Sequence, residues 1–190
     1  MIKNIAIGTW IACSFGCAQC YADAIFALSN SGYGLTVLAP VYDAGGHLLA
    51  GNQYMAQLYA GSDQNSLTPL SPSAPFLTGA LAGYLQSTLI TDRSGNFLKN
   101  TEYFVQLRVW DTSLGSTWQI AASKGLGGLG ESSIGREQTG GSGGVPSLPS
   151  GLSGLQSFSL SPLVPEPSTY ALFGVGAVAL WWQCRRRSNS

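Results

Sequence analysis

The C-terminal end of the chain carries an apolar run that is followed by an arginine cluster. Residues 171–182 contain no charge. Gln183 and Cys184 follow them, and Arg185, Arg186 and Arg187 come next. A helix over the 17 residues 168–184 would span roughly 25 Å at ~1.5 Å per residue. A bilayer core about 30 Å thick usually needs ~20 residues. The run is therefore a marginal membrane span, and the positive-inside bias predicts that the arginines stop transfer and stay in the cytoplasm.

A short acidic motif flanked by prolines precedes this run. It consists of Val164, Pro165, Glu166, Pro167 and Ser168. Because proline fixes its own φ and disfavours helix in the residue before it, the motif should be extended and exposed just outside the membrane. The serine can then cap the helix. These residues alone leave two interpretations open, a permanent tail anchor and a temporary anchor that is removed by processing.

The motif, the apolar segment and the arginine cluster stand in the order of the PEP-CTERM sorting signal, which the tail resembles over residues 164–187. The resemblance implies an exported protein of a Gram-negative bacterium. It implies a transient inner-membrane anchor, cleavage near Pro-Glu-Pro by an exosortase-type enzyme, and a final place at the cell surface or outside the cell. Exopolysaccharide is the expected partner. Residues 181–184 depart from the usual leucine-rich run.

The N-terminal residues 1–22 have the layout of a secretory signal peptide. Lys3 is their only charge, residues 5–18 are mostly apolar, and the last three positions have small residues first and third. This layout predicts cleavage after Ala22, so that the exported chain begins at Asp23. A buried N-terminal element is the alternative. A lipoprotein is disfavoured because neither candidate cysteine has an aliphatic residue three positions before it.

All four cysteines of the chain lie in these two end segments. Cys17 and Cys20 form a C-x-x-C pair, but neither the further ligands of a metal site nor the βαβ context of a redox pair accompanies them. The region between the two signals has no cysteine before Cys184. It therefore has to be stabilised by its hydrophobic core and not by disulfides.

About 140 residues remain between the two signals, which is enough for one domain with a core. Residues 23–164 contain five Lys or Arg and eight Asp or Glu, a net charge of −3. Because no basic patch is present, we expect no nucleic-acid partner.

Apolar and polar residues alternate with a period of two over three segments, 54–59, 84–90 and 103–110. Such alternation is typical of half-buried strands. Turn signals separate these segments from four further candidate strands, which are residues 24–29, 35–42, 118–123 and 155–160. The pattern predicts an all-β ectodomain, an antiparallel β-sandwich with Greek-key-like connections over residues 23–139.

The stretch 140–163 is predicted to be a flexible linker with a last strand at 155–160, because it is rich in Gly, Ser and Pro. The sorting signal with its transmembrane helix then occupies residues 164–190. The domain order is thus signal peptide, β domain, linker and sorting tail.

Residues 125–130 match the spacing G-x-G-x-x-G of a dinucleotide-binding loop. That function needs a helix after the loop and an acidic residue about twenty positions later, and neither follows here. A flexible loop is the preferred interpretation, and no cofactor is expected. His47, the single histidine, lies at a Gly-Gly turn, so we expect a solvated residue and neither a catalytic triad nor a zinc site.

The carboxylates of the central region carry the remaining candidate chemistry. Two of them could act as the acid and base of a glycosidase, or three turn aspartates could contribute ligands to calcium, but sequence spacing selects no pair. The full set is Asp43, Asp63, Asp92, Glu102, Asp111 and Glu131. Aromatic side chains on the strands are expected mostly in the core, with a minority free to stack on sugars.

Two classes of function follow from these observations. The favoured one is a noncatalytic surface or matrix protein, with no catalytic and no metal-binding residue. The alternative is a small secreted glycan-active hydrolase, or a carbohydrate-binding module, that uses the same sorting tail. A pocket lined by two close carboxylates would favour the hydrolase.

Overall fold

The computed structural model describes residues 23–31, 38–142, 146–152 and 154–164. The predicted signal peptide, including Ala22, lies outside the described residues, as does the tail from Pro165 onward. Among the described residues, no helix has the length and apolar character needed to span a membrane.

Strands are the main regular secondary structure of the described chain, which confirms the all-β prediction. One short α-helix, α1, and a 3-10 turn at Gly79–Leu81 interrupt the described strands. The strands and the helix are β1 Ala24–Leu28, β2 Val41–Tyr42, β3 Gly51–Gly61, β4 Thr68–Pro69, β5 Ala74–Phe76, β6 Thr88–Asp92, β7 Glu102–Asp111, α1 Trp118–Ser123, β8 Leu129–Glu131, β9 Gly135–Gln138, β10 Gly140–Gly141 and β11 Phe158–Ser159.

The large sheet is built on the two longest strands. β3 and β7 pair antiparallel from Tyr54 opposite Asp111 to Gly61 opposite Phe104. β4 and β5 flank β3 on its other edge, and β8 and β9 flank β7. A smaller antiparallel sheet has the order β10-β1-β6. The pair β2-β11 is parallel, so the described strands are not all antiparallel.

The main core lies between the large and the small sheet. Phe26 and Ile90 come from the small sheet, and Leu58 and Leu107 come from the large sheet, all at most 2% exposed. On the opposite face of the large sheet, Trp110 packs in a second cluster beneath α1. Both faces of β7 are therefore largely covered. The face opposite the main core carries the buried or half-buried side chains of Gln106, Arg108 and Trp110 instead of solvated ones.

The prediction of a strand at 118–123 is wrong, because this segment forms α1. Thr117 caps the helix, since its side chain accepts a hydrogen bond from the backbone N–H of Ile120. Trp118 and Ala121 are buried at i and i+3 while Ile120 is exposed, which is the pattern of a helix lying on a sheet. Six residues were too few to separate this period from a period of two.

The described parts of the predicted linker pack on the domain instead of leaving it. Gly140 and Gly141 form β10 and pair with β1. Leu152 and Leu155 are 5% and 8% exposed and belong to the main core. The low apolar content of this stretch predicted a flexible linker, but its few leucines are enough to anchor it on the domain. Of the expected strand at 155–160, only Phe158–Ser159 is a strand.

Candidate functional site

The last described residues, 158–164, form a segment that we name the C-terminal strap. It begins with β11, which places Phe158 beside Val41 and Ser159 beside Tyr42. The backbone N–H of Leu160 donates to the carbonyl of Tyr42 at 2.9 Å, and the Leu160 side chain is 4% exposed in the main core. The strap is therefore attached to the domain by both sheet pairing and apolar burial.

The glycine-rich loop 125–130 holds the other side of the strap. The N–H of Gly128 donates to the Ser161 carbonyl at 2.9 Å, and the N–H of Ser161 donates to the Leu129 carbonyl at 2.8 Å. The N–H of Val164 donates to the Leu126 carbonyl at 2.7 Å. The prediction of a flexible loop missed this role, because the loop binds the backbone of the strap.

Glycine is required in this loop because the strap passes very close to it. A β carbon on Gly127 would overlap the carbonyl oxygen of Pro162. A β carbon on Gly128 would lie 3.0 Å from the Leu163 side chain. Both glycines also have positive φ, +79° and +69°, which other residues rarely adopt. We call Gly127 and Gly128 the glycine clamp.

A pocket of about 210 Å³ opens beside the strap. Its lining includes Asp43, Tyr54 and Asp111 together with residues 160–163 of the strap. Tyr54 and Asp111 are direct cross-strand partners on β3 and β7, which explains why they share the pocket. The structure thus brings together two of the six carboxylates that the sequence offered.

Local hydrogen bonds fix the Asp43 carboxylate. Its Oδ1 accepts from the backbone N–H groups of Gly45 and His47, both at 2.8 Å, and its Oδ2 lies 3.2 Å from Nδ1 of His47. The backbone N–H of His47 is the largest cause that lowers the pKa of Asp43. Because a hydrogen-bonded carboxylate prefers the charged form, Asp43 stays ionised and is unsuited to act as a general acid.

Asp111 and Tyr54 complete the polar side of the pocket. Asp111 is 5% exposed, and its Oδ1 accepts from the N–H of Ser113 at 2.8 Å. Burial, followed by the charges of Asp111 and Asp43, raises the pKa of the Tyr54 hydroxyl. The phenol therefore stays protonated and can donate, while the carboxylates accept. Such a pocket suits a neutral ligand rich in hydroxyl groups.

The other predicted carboxylates stay apart from this pocket. Asp63 and Asp92 accept backbone N–H bonds within their own turns. Glu102 pairs with Arg136, and Glu131 lies 3.6 Å from Arg108. Across the described ranges, no three His, Cys, Asp or Glu residues come together as metal ligands. His47 is 83% exposed at its side chain, beside Asp43.

The strand aromatics are mostly covered. Four of the seven are buried, namely Tyr59, Tyr103, Trp110 and Trp118. Tyr54, Tyr84 and Phe104 are half-buried. The guanidinium of Arg108 lies 4.2 Å from the centre of the Tyr59 ring, and that of Arg136 lies 4.7 Å from the Phe104 ring. Of these seven aromatics, only Tyr54 lies in the pocket beside the strap.

Residues 163–187 match the family model of the PEP-CTERM protein-sorting motif. The chain carries a PEP-CTERM sorting signal. This match confirms the recognition made from the sequence, and it supports export, membrane anchoring before processing, and processing by exosortase, a membrane enzyme. Comparisons with curated proteins and with solved structures found no match to the chain.

The PEP-CTERM motif and the folded domain overlap in sequence. The match begins at Leu163, and both Leu163 and Val164 belong to the strap that the glycine clamp holds. Val164 is 57% exposed, although its N–H is bound to Leu126. Pro165, Glu166, Pro167 and Ser168 of the motif lie outside the described residues, as do Arg185, Arg186 and Arg187.

At the other end, Asp23 is the first described residue. Its backbone carbonyl accepts from the N–H of Ser142 at 3.2 Å, and its carboxylate lies 3.7 Å from Arg93. The predicted first residue of the exported chain is therefore already attached to the domain. Cleavage after Ala22 stays a prediction.

Proposed function

We propose that this protein is a noncatalytic component of the bacterial surface or extracellular matrix that associates with exopolysaccharide. A signal peptide directs its export, a C-terminal helix anchors it in the inner membrane, and an exosortase-type enzyme then releases it. The observation that carries this proposal is the match of residues 163–187 to the PEP-CTERM motif. The β domain is the part that remains to act outside the cell.

The state of the carboxylates supports a noncatalytic role. A glycosidase needs one carboxyl group that is protonated at working pH, beside a second that is ionised. In the pocket, the pKa of Asp43 is lowered. Burial raises the pKa of Glu137 to about 8, but this side chain lies in the domain interior, 2.7 Å from the N–H of Ala27. The carboxyl group with the raised pKa therefore lies outside the pocket beside the strap.

The pocket beside the strap supports binding of a neutral glycan. Asp43 and Asp111 offer acceptors for sugar hydroxyls, and the Tyr54 hydroxyl offers a donor. A pocket of about 210 Å³ is smaller than the 300 Å³ or more of typical small-molecule sites. It fits one sugar unit of a longer chain, which is the kind of weak and repeated contact that a matrix protein uses.

The proposal is tested with the exported protein and the exopolysaccharide purified from the same producing strain. We expect the protein to sediment with the polysaccharide, and Asp111→Asn to weaken this binding several-fold, since asparagine keeps the turn acceptor but removes the charge. Asp63→Asn, in an exposed turn away from the pocket, is the matched control. Equal sedimentation with and without polysaccharide would contradict the proposal.

A secreted glycan hydrolase is the second candidate, because two carboxylates line the same pocket. Release of reducing ends from the same polysaccharide separates the two functions. The noncatalytic proposal predicts no release above that of an Asp43→Asn, Asp111→Asn double variant. Release that the double variant loses would establish the hydrolase.

A further inference from the structure

The strap is attached to the domain at several points between Phe158 and Val164. Four backbone hydrogen bonds of 2.7–2.9 Å join it to β2 and to loop 125–130. Leu160 anchors it in the core, and the aromatic ring of Phe158 lies against Gly130, where a β carbon would be 3.1 Å away. At Gly127 the two backbones approach so closely that only glycine fits. A segment attached in these ways is tied to the domain and should be well ordered.

From these contacts we infer that the glycine clamp sets the N-terminal limit of processing. The strap stays on the domain before and after cleavage, so the processing enzyme acts only beyond Val164. The mature protein then keeps residues 158–164 as its last structural segment. This inference rests on the proposed function, because it concerns where the exosortase-type enzyme reaches the chain.

The physical reason is accessibility. A processing enzyme has to take an extended stretch of substrate, and the backbone groups of Leu160, Ser161 and Val164 are already bonded to the domain. To bind the strap itself, the enzyme would have to break these hydrogen bonds and withdraw Leu160 from the core.

Two glycines of the same loop give a matched pair of variants. Gly127→Ala and Gly125→Ala both place alanine at a positive φ, +79° and +65°. A β carbon on Gly125 meets nothing within 4 Å, whereas one on Gly127 overlaps the carbonyl of Pro162. Both variants bear a similar backbone cost, but only Gly127→Ala should displace the strap.

The test is hydrogen exchange followed by mass spectrometry on the full-length membrane-bound precursor, from a strain that lacks the processing enzyme. We expect exchange of peptides from 155–164 to be slow in the native chain and in Gly125→Ala, and at least tenfold faster in Gly127→Ala. Peptides from β3 and β7 should stay protected in all three. Equal exchange of the strap in both variants, or fast exchange in the native chain, would overturn the inference.

If Gly127→Ala also loses protection in β3 and β7, Leu160→Ala is the second variant, because it removes the core anchor without touching the loop. Faster exchange confined to the strap supports the clamp, and an unchanged strap contradicts it. In a strain with the processing enzyme, a mature C-terminus before Val164 overturns the limit. A mature protein that retains residues 165–190, with a strap protected from hydrogen exchange, contradicts the proposed processing. That result would still support attachment of the strap by the glycine clamp.

Discussion

The Oε1 atom of Glu137 accepts a hydrogen bond of 2.7 Å from the backbone N–H of Ala27. This contact joins β9 of the large sheet to β1 of the small sheet. β10 pairs with β1 only at Ala24 and Ile25, so Ala27 lies beyond the end of β10. The glutamate therefore satisfies a strand N–H that the neighbouring strand is too short to reach.

The other oxygen of Glu137, Oε2, is buried and has no hydrogen-bond partner in the part of the chain that the structure describes. Burial is the main cause that raises the pKa of this carboxyl to about 8, and the bond from Ala27 opposes it. The folded protein therefore holds a proton that the unfolded chain releases near pH 4.5.

The first prediction concerns the pH dependence of stability. Between about pH 4.5 and pH 8 the folded state binds more protons at Glu137, so the free energy of unfolding should fall as pH rises and level off above pH 8. The limit of this loss is on the order of 5 kcal/mol. Glu137→Gln should remove this part of the pH dependence of the free energy of unfolding. At pH 9 this variant should be more stable than the native domain.

Urea unfolding of the exported protein at pH 5, 7 and 9 measures this. The matched control is Glu102→Gln, because Glu102 is exposed and pairs only at the surface with Arg136. Parallel pH profiles for Glu137→Gln and the native protein would contradict the assignment.

The second prediction concerns Asn30, which is fully buried. Its Nδ2 donates to the carbonyls of Ala39 and Gly83 at 2.9 and 2.8 Å, and its Oδ1 accepts from the N–H of Leu85 at 2.8 Å. Asn30→Ala leaves three buried backbone groups without this partner, so we expect a loss of roughly 3–6 kcal/mol. Asn65→Ala, at an exposed position, should change stability by less than about 0.5 kcal/mol. The denaturant midpoints of the two variants measure this difference in stability. Similar midpoints would contradict a stabilising role of the Asn30 side chain.

Alternating patterns predicted the strand class, because residues 54–59 and 103–110 fall within β3 and β7. Of the third alternating segment, 84–90, only the part from Thr88 onward is strand. The tail motif was recognised from its three parts in order. The same period, counted over only the six residues 118–123, wrongly predicted a strand where the structure has α1. Nothing local marks the glycine loop as the partner of the strap, because their contacting residues lie about 30 or more positions apart and meet only when β2, β8 and β11 are in place. The pocket likewise depends on the register of β3 and β7, which places Tyr54 opposite Asp111.

The third prediction concerns export. Cleavage after Ala22 should give a mature chain that starts at Asp23, because the apolar stretch 5–18 and the small residues before the cleavage point form a signal peptide. N-terminal sequencing of the surface fraction measures this. A mature chain that retains Met1 would contradict it.

The fourth prediction concerns the arginine cluster. Replacing Arg185, Arg186 and Arg187 by serine removes the positive charge that holds the C-terminal end in the cytoplasm. We expect unprocessed full-length protein in the periplasm or medium. Lysine at the same three positions keeps the charge and should restore retention and processing. Immunoblots of membrane and soluble fractions distinguish the variants, and normal processing of the serine variant would rule out a stop-transfer role.

The mass of the mature protein in the native surface fraction tests the central claim most directly. Processing of the PEP-CTERM signal predicts a C-terminus near Pro165, with residues 158–164 retained and the apolar run and arginines removed. The control is Glu166→Gln, which should accumulate as a membrane-retained full-length form. A native mature protein that still carries Trp181, Trp182 and the arginines would show a permanent tail anchor and contradict the account.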